Sequence, residues 1–408
     1  MQFHSSTGPA AEHGRRQGGF AAGQGRAVLH PQRGGRHRHK AIRCQTAHAD
    51  ELDNHDFLQF RDGGSATTLV RGMSRRRPTP FSGFDYRAPP WLPGGNLQTL
   101  WAATLARRHD GAPVGFTRER WATPDADFID VDHALPTRPV PTAPPRHLVL
   151  FHGLEGSTGS QYAQAFGVVA RQRGWAYSVP HFRGCSGELN LAPRAYHSGD
   201  FEEIGWILAR LRQRSAAPLL VVGISMGGNA LLRWAQEAGD SAAATAAAVA
   251  AVSSPIDLAA AGRAIDRGFN WLVYSRMFLA TMKPKALAKW RQHPGLFDRE
   301  RLAAARTLYE FDDVFTAPLH GFADTPDYWA RASAKPHLAQ VRIPALVLNA
   351  RNDPFVPAAA LPGPAEVGRF VTLWQPAQGG HVGFPAGAWP TQVLAMPAAV
   401  ADWLAEHA

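Results

Sequence analysis

Short apolar runs alternate with helical patterns along the chain from about residue 84. HLVLFHG, WAYSVPHF, LLVVGIS and AAVAAVSSP each have the length and continuous apolar character of buried strands. Helical spacing follows from about Ser160, from about Gly199 to Arg214, and directly after LLVVGIS. RERW and FIDVD predict an early hairpin. This alternation predicts an α/β fold, with a mostly parallel eight-stranded sheet and helices on both faces.

The alternation stops between residues 257 and 336. That stretch is aromatic and helical in pattern and shows no clear strand, and PALVLNA and RFVTLW then resume as strands before a final helix toward Trp403. In this architecture, lids are inserted after the sixth strand, a placement that comes from fold analogy. We therefore expect a core formed by residues 78–256 and 337–408, interrupted by a helical lid over residues 257–336.

Residues 1–77 have a different composition. They are rich in Gly, Arg, His and Gln, and they hold 13 Lys and Arg against 6 Asp and Glu, whereas the rest of the chain is nearly neutral. Too few apolar residues are present to offset the entropy of ordering, so we expect a disordered basic tail. A basic arm that binds nucleic acid or an anionic membrane is the alternative. We expect the functional protein to begin near Met73, with residues 1–72 either a tail or the product of a mis-assigned start.

Several protein classes do not fit the sequence. The sequence contains no run of about 18 apolar residues, so an integral membrane segment is not expected. The start lacks the apolar region of a secretory signal. Two distant cysteines, Cys44 and Cys185, favour a reducing compartment, and we expect a cytoplasmic protein without nucleic-acid partners. Clustered metal ligands, a dinucleotide fingerprint and a phosphate loop are all lacking, so no cofactor and no metal are expected. The oligomeric state is not predicted.

The run LVVGISMGGNALLRW places one serine between a predicted strand and a predicted helix. The pentapeptide Gly223 to Gly227 has the G-x-S-x-G pattern of a nucleophile elbow, in which the serine hydroxyl projects from the sheet edge. Glycines at both ends permit close approach of strand and helix because they lack a Cβ. Ser225 is therefore the candidate nucleophile.

A serine nucleophile needs a base and a carboxylate that orients it. Asp353 follows the strand LVLNA, and His381 lies in a Gly-flanked loop after the next strand, which is the expected Ser, Asp, His order. Asp257, after the sixth strand, is an alternative acid or else a helix cap. The remaining candidates lack the required positions: His320, His337, His407 and Ser254.

An oxyanion hole needs two backbone N–H groups. One is expected from Met226, directly after the nucleophile, and the other from Leu154 in the loop FHGLEG after the third strand. His152 is expected to organise that loop. Only the backbones of Met226 and Leu154 would act.

From about residue 84 to the C-terminus the chain resembles the YheT-like branch of the α/β-hydrolases, which also holds eukaryotic ABHD-type lipid esterases. The resemblance rests on PWLPGGNLQT from Pro90, HGLEGSTGSQY from His152, HFRGCSGELN from His181, GISMGGNALL, FDDVFTAPLHGF, NARNDPFVP and GGHVGF. Members often carry His where Asn96 stands here. The resemblance implies an α/β-hydrolase fold, a triad of Ser225, Asp353 and His381, and ester hydrolysis. Cys185, inside HFRGCSGE, is expected to be structural.

These observations predict a serine carboxylesterase that acts on small-molecule acyl esters through an acyl-enzyme. Acyl transfer to an alcohol uses the same triad and is one alternative. A binding protein of the same fold without turnover is another. The aromatic stretch over residues 257–336 is expected to cover the site and to favour acyl chains longer than acetyl. The physiological ester and its acyl length are not predicted.

Overall fold

The computed structural model describes residues 83–134, 146–216 and 218–408. All of them fall within one compact unit, Met73–Ala408. The predictions for residues 1–77 and for a start near Met73 therefore lie outside the described residues. Within the described ranges, no helix combines the length and the apolar character needed to cross a bilayer.

Eight strands form one sheet in the order β1-β2-β4-β3-β5-β6-β7-β8. The β1–β2 and β2–β4 pairs are antiparallel and the other five are parallel, which confirms the predicted fold. The strands are β1 (Phe116–Ala122), β2 (Phe128–Ala134), β3 (His147–Phe151), β4 (Ala176–Pro180), β5 (Leu219–Ile224), β6 (Ala246–Val252), β7 (Ala345–Leu348) and β8 (Val371–Trp374).

Helices cover both faces of this sheet. The helices are α1 (Gly95–Thr104), α2 (Gln161–Gln172), α3 (Phe201–Arg214), α4 (Met226–Ala238), α5 (Leu258–Ile265), α6 (Gly268–Asn270), α7 (Arg276–Gln292), α8 (Arg299–Ala304), α9 (Leu308–Phe311), α10 (Ala317–Leu319), α11 (Thr325–Ala332) and α12 (Ala395–Glu406). On one face α3 and α4 pack against Val221 and its neighbours, and on the other α2 and α12 pack against Leu220. Because side chains alternate along a strand, adjacent residues of β5 serve opposite halves of the core.

The segment between β6 and β7 is helical, as its pattern predicts. It contains α5 to α11 and two π-helical turns, Trp271–Ser275 before α7 and Asp312–Thr316 after α9. π-Helical turns are rare in proteins overall, and many of those that occur lie at functional sites. Here both lie in the segment that stands above the carboxyl ends of the parallel strands.

The carboxyl ends of β3, β5, β6, β7 and β8 meet at one edge of the sheet, because these strands are parallel. β5 lies between β3 and β6, so the residue after β5 is flanked by the loops that leave its neighbours. In the described ranges seven non-glycine residues have positive φ, and five of them lie in these edge loops: Glu155, Ser225, Ser253, Val382 and Phe384. Strained backbone of this kind clusters at functional sites.

Candidate active site

Ser225 sits at a strained turn between β5 and α4. Its φ of 51° and ψ of −120° are unfavourable for a residue with a Cβ. The Ser225 N–H donates to the carbonyl of Val252 at 2.8 Å, which ties the turn to the end of β6. The turn therefore holds the Ser225 hydroxyl at the sheet edge and at the N-terminus of a 13-residue helix.

Two glycines make this turn possible. A Cβ on Gly223 would lie 2.5 Å from the carbonyl oxygen of Gly227, and a Cβ on Gly227 would lie 2.4 Å from the carbonyl oxygen of His152. Both distances are well below van der Waals contact. The two glycines of the G-x-S-x-G pattern thus allow the backbones of β5, α4 and the loop after β3 to pack directly against one another.

Ser225, His381 and Asp353 form one continuous hydrogen-bonded chain. Nε2 of His381 is 3.0 Å from Oγ of Ser225. Nδ1 of His381 is 2.9 Å and 3.2 Å from the two carboxylate oxygens of Asp353. The Asp353 side chain is fully buried, while the His381 side chain is 10% exposed. The structure brings together the three side chains that the sequence selected.

Backbone and side-chain contacts fix the positions of His381 and Asp353. Oδ1 of Asp353 accepts the N–H groups of Phe355 and Val356 at 2.8 and 3.3 Å. The His381 N–H donates to Oγ1 of Thr99 at 2.8 Å, and the Phe355 ring lies 4.2 Å from the imidazole, centroid to centroid. With one Asp353 oxygen occupied by amides, the other faces Nδ1, so the imidazole is oriented with Nε2 toward Ser225.

The amides of Met226 and Leu154 are free to bind an anion. Within the described residues, neither N–H donates to a protein acceptor. The Leu154 loop is held by His152, whose Nε2 accepts the N–H of Phe182 at 3.1 Å while Nδ1 donates to the carbonyl of Gly153 at 2.8 Å. Burial lowers the pKa of His152 to about 3, which keeps the imidazole neutral in this bridging role.

The rival candidates lie elsewhere. Asp257 caps α5, its carboxylate accepting the N–H of Ala260 at 2.9 Å. His320 lies between the carbonyls of Thr316 and Ala195, and His407 stacks on Trp403. His337 lies in a 3₁₀ turn before β7, and the Ser254 hydroxyl contacts the carbonyl of Val252. None of these residues has a hydrogen bond to the triad in the part of the chain that the structure describes.

A cavity with about 1180 Å³ of empty space, including its open mouth, leads to Ser225 and His381. Its wall is mostly apolar, and α5, α7, α9 and α11 of the segment between β6 and β7 contribute much of it. The apolar wall residues from that segment include Leu258, Ala261, Ile265, Phe278, Met282, Phe311, Phe315, Tyr328 and Trp329.

Charged side chains on the cavity wall have hydrogen-bond partners within the protein. Lys285 Nζ contacts the carboxylate of Glu155 at 2.9 Å, and that carboxylate also accepts the Tyr196 hydroxyl at 2.8 Å. Lys289 donates to the carbonyls of Asn190 and Ala192. Burial raises the pKa of Asp312 to about 6. Across the described residues, no three His, Cys, Asp or Glu side chains are grouped to ligate a metal ion.

Cys185 lies buried beside this cavity, and burial raises the pKa of its thiol to about 12. A thiol of that pKa is protonated at neutral pH and is a poor nucleophile. Its position favours the structural role expected from the sequence.

The model of the alpha/beta hydrolase fold family matches residues 146–388. The YheT protein of Escherichia coli (strain K12), which bears the name of an esterase, is 37% identical over 315 residues, 76% of this chain and 90% of its own. The chain belongs to the YheT-like α/β-hydrolases. A human relative named Phospholipase ABHD3 is 29% identical over 318 residues, 75% of each chain.

The YheT-like motif PWLPGGNLQT leads into the first turns of α1 and contacts the loops that carry Asp353 and His381. Oε1 of Gln98 accepts the side-chain amide of Asn352 at 3.0 Å and the N–H of Gly379 at 2.9 Å, while its Nε2 donates to the carbonyl of Leu92 at 2.9 Å. Asn352 in turn accepts the N–H of Gly380 at 3.0 Å. Gln98 is fully buried.

Sequence reasoning did not assign a role to Gln98, Thr99 or Asn352. The only signal was their presence inside the YheT-like motifs PWLPGGNLQT and NARNDPFVP. Asn352 adjoins Asp353, and Gly380 adjoins His381. Gln98 therefore joins the loop of Asp353 to the loop of His381, through contacts one residue from Asp353 and two residues from His381.

Proposed function

We propose that this protein is a serine hydrolase that cleaves carboxylic acyl esters. The observation that carries the proposal is the hydrogen-bonded chain of Ser225, His381 and Asp353 at the end of an apolar cavity. Relatives named as an esterase and as a phospholipase support the same chemistry.

The reaction begins when the hydroxyl of Ser225 attacks the ester carbonyl. His381 takes the hydroxyl proton at Nε2, and Asp353 stabilises the imidazolium that results. The N–H groups of Met226 and Leu154 stabilise the oxyanion of the tetrahedral intermediate. Collapse of the intermediate transfers the proton from Nε2 to the leaving alcohol and leaves the acyl group on Ser225. Water then attacks the acyl carbonyl, with His381 again accepting the proton at Nε2. The bond between the acyl carbon and Oγ of Ser225 breaks, Nε2 returns the proton to Oγ, and the carboxylic acid is released.

The segment 257–336 acts in this proposal as a lid that provides the acyl site. Its apolar side chains favour long acyl chains, because each buried methylene contributes about 0.8 kcal/mol. The specificity constant for p-nitrophenyl esters is therefore expected to rise from acetate to octanoate. A fall along that series would contradict this assignment. The same assay with added ethanol tests for the ethyl ester that acyl transfer would produce.

The proposal is tested with a fluorophosphonate probe, which labels activated serine hydroxyls. We expect the wild type to be labelled and Ser225→Ala to be unlabelled, with turnover lower by on the order of 10³-fold or more. Ser198→Ala is the matched control, because Ser198 lines the same cavity and has no hydrogen bond to His381. Labelling that persists in Ser225→Ala would rule out this nucleophile.

A further inference from the structure

Large apolar side chains are exposed mainly on one part of the surface. Among the described residues, nine such side chains are exposed, and seven of them lie on or beside α1 or at the start of the segment between β6 and β7. We call these seven the apolar face: Trp91, Leu97, Leu105, Phe269, Leu272, Met277 and Trp389. Single exposed apolar residues are common, but a grouped set marks an interaction surface.

α1 presents an apolar stripe to solvent. Leu97, Trp101 and Leu105 are spaced four residues apart and so lie on one side of the helix. Leu97 is 49% exposed and Leu105 is 58% exposed. The Trp101 ring contacts those of Trp91 and Trp389, each at a centroid distance of 4.9 Å. Trp389 is 68% exposed, so this indole cluster stands at the surface.

The stripe on α1 continues onto the segment between β6 and β7. The Tyr274 hydroxyl donates to the side-chain oxygen of Asn96 at 2.9 Å, next to Leu97. Leu100 and Val273 pack in one cluster beneath, which brings exposed Leu272 beside α1. Met277 is exposed while its neighbour Phe278 lines the cavity, so the apolar face borders the wall of the candidate active site.

Positive charge accompanies this face. Residues 263–276, at the start of the segment between β6 and β7, contain three Arg and one Asp. Arg267 and Arg276 are exposed, and no carboxylate of the described residues lies within 4.0 Å of either. Basic side chains are attracted to anionic headgroups, and exposed apolar side chains insert into the apolar region beneath those headgroups.

We propose that the apolar face docks on a lipid bilayer that contains anionic lipids. Trp and Leu side chains enter the interfacial region, where an indole finds both apolar contacts and hydrogen-bond acceptors, while Arg267 and Arg276 contact anionic headgroups. The proposal goes beyond the proposed function, since docking requires no turnover. If both hold, docking brings the cavity wall at Phe278 next to the membrane.

Co-sedimentation of the full chain with vesicles tests the proposal. One set of vesicles contains phosphatidylglycerol and phosphatidylcholine, and the other contains phosphatidylcholine alone. We expect Leu97→Ser/Leu272→Ser to reduce partitioning onto the mixed vesicles by on the order of ten-fold or more. Arg267→Gln/Arg276→Gln should narrow the difference between the two vesicle types. Hydrolysis of p-nitrophenyl butyrate in solution should match the wild type in both variants.

Leu191→Ser is the matched control. Leu191 is 54% exposed, and its carbonyl accepts His293 Nε2. His293 follows α7 and is 16 residues, about 24 Å of helix, from Met277. Vesicle binding by Leu191→Ser should equal that of the wild type. The proposal would be overturned if Leu97→Ser/Leu272→Ser bound vesicles as well as the wild type does, or if Leu191→Ser lost as much binding as that variant. It would also be overturned if the wild type formed a dimer without vesicles and Leu97→Ser/Leu272→Ser dissociated that dimer. Because binding by Ser225→Ala is also measured, failure of docking is distinct from failure of the esterase proposal.

Discussion

Asp353 and Asp257 both follow a parallel strand, but their carboxylates have different partners. Asp353 contacts His381 and two loop amides, whereas Asp257 contacts the amide of Ala260 at the start of α5. An amide at position 353 cannot stabilise an imidazolium, and it favours the wrong tautomer of His381. An amide at position 257 caps a helix as well as the acid does.

We therefore expect Asp353→Asn to lower turnover by on the order of 10⁴-fold while the protein stays folded. Asp257→Asn should leave turnover within about two-fold of the wild type, because asparagine retains the cap. Steady-state kinetics with p-nitrophenyl butyrate, together with melting temperatures, measures both effects. The reverse ranking would assign the acid to Asp257.

The proximity of Ser225, Asp353 and His381 could be predicted from the sequence because each residue is marked locally. Ser225 has glycines on both sides, and Asp353 and His381 each follow an apolar strand, so chain order and strand ends suffice. Gln98 carries no such mark. Its partners Asn352 and Gly379 are 254 and 281 residues away, and no local pattern encodes contacts at that distance.

α1 is an element whose polarity is the reverse of the usual one. Its buried side holds Gln98 and Thr99 against the loops of Asp353 and His381, while Leu97 and Leu105 face solvent. Apolar periodicity would place the leucines toward the core, which is why the sequence pattern did not predict this helix in its observed role. The β strands and α2 to α4 turn their apolar residues toward the core, and the sequence pattern predicts them.

Removal of the Gln98 amide should impair catalysis more than folding. Gln98→Ala leaves the Asn352 amide and the Gly379 N–H without their acceptor, so the loops that carry Asp353 and His381 lose their shared contact. We expect kcat to fall by on the order of 10- to 100-fold with little change in KM. A fall in kcat that exceeds that of a control variant with a similar loss of stability identifies a positioning role.

Gln236→Ala is the matched control for this substitution. Gln236 is also buried, and it contacts Ala334 and Arg233 away from the triad. Its loss should cost about 1–3 kcal/mol of stability and leave kcat unchanged. If both variants lose activity in proportion to stability, Gln98 has no specific role in positioning the triad.

At the scale of the whole molecule, buried histidines make stability depend on pH. Burial lowers the pKa of His152 and of His197 to about 3. Below about pH 6.5 the unfolded chain binds protons at these side chains that the folded chain does not bind, so the free energy of unfolding falls as the pH falls. Burial acts in the opposite sense on Asp312 and Glu203, where it raises the pKa to about 6 and about 7.

Comparison of the wild type with His152→Gln isolates the contribution of one histidine to the pH dependence of stability. Between pH 7 and pH 5, the unfolding free energy of the wild type should fall by about 2 kcal/mol more than that of the variant, since Gln does not titrate. Urea unfolding at both pH values measures the difference. Parallel losses in the two proteins would show that His152 does not contribute to acid sensitivity.

The order of the proposed catalytic residues has a consequence for synthesis. Ser225 precedes the segment between β6 and β7, while Asp353 and His381 follow it and belong to loops after β7 and β8. α12, which comes later still, packs with Trp374 of β8 in one cluster of the core. A nascent polypeptide on the ribosome therefore carries Ser225 long before His381 is synthesised. In the proposed mechanism, a chain interrupted before residue 381 lacks its base, so its serine hydroxyl stays unactivated.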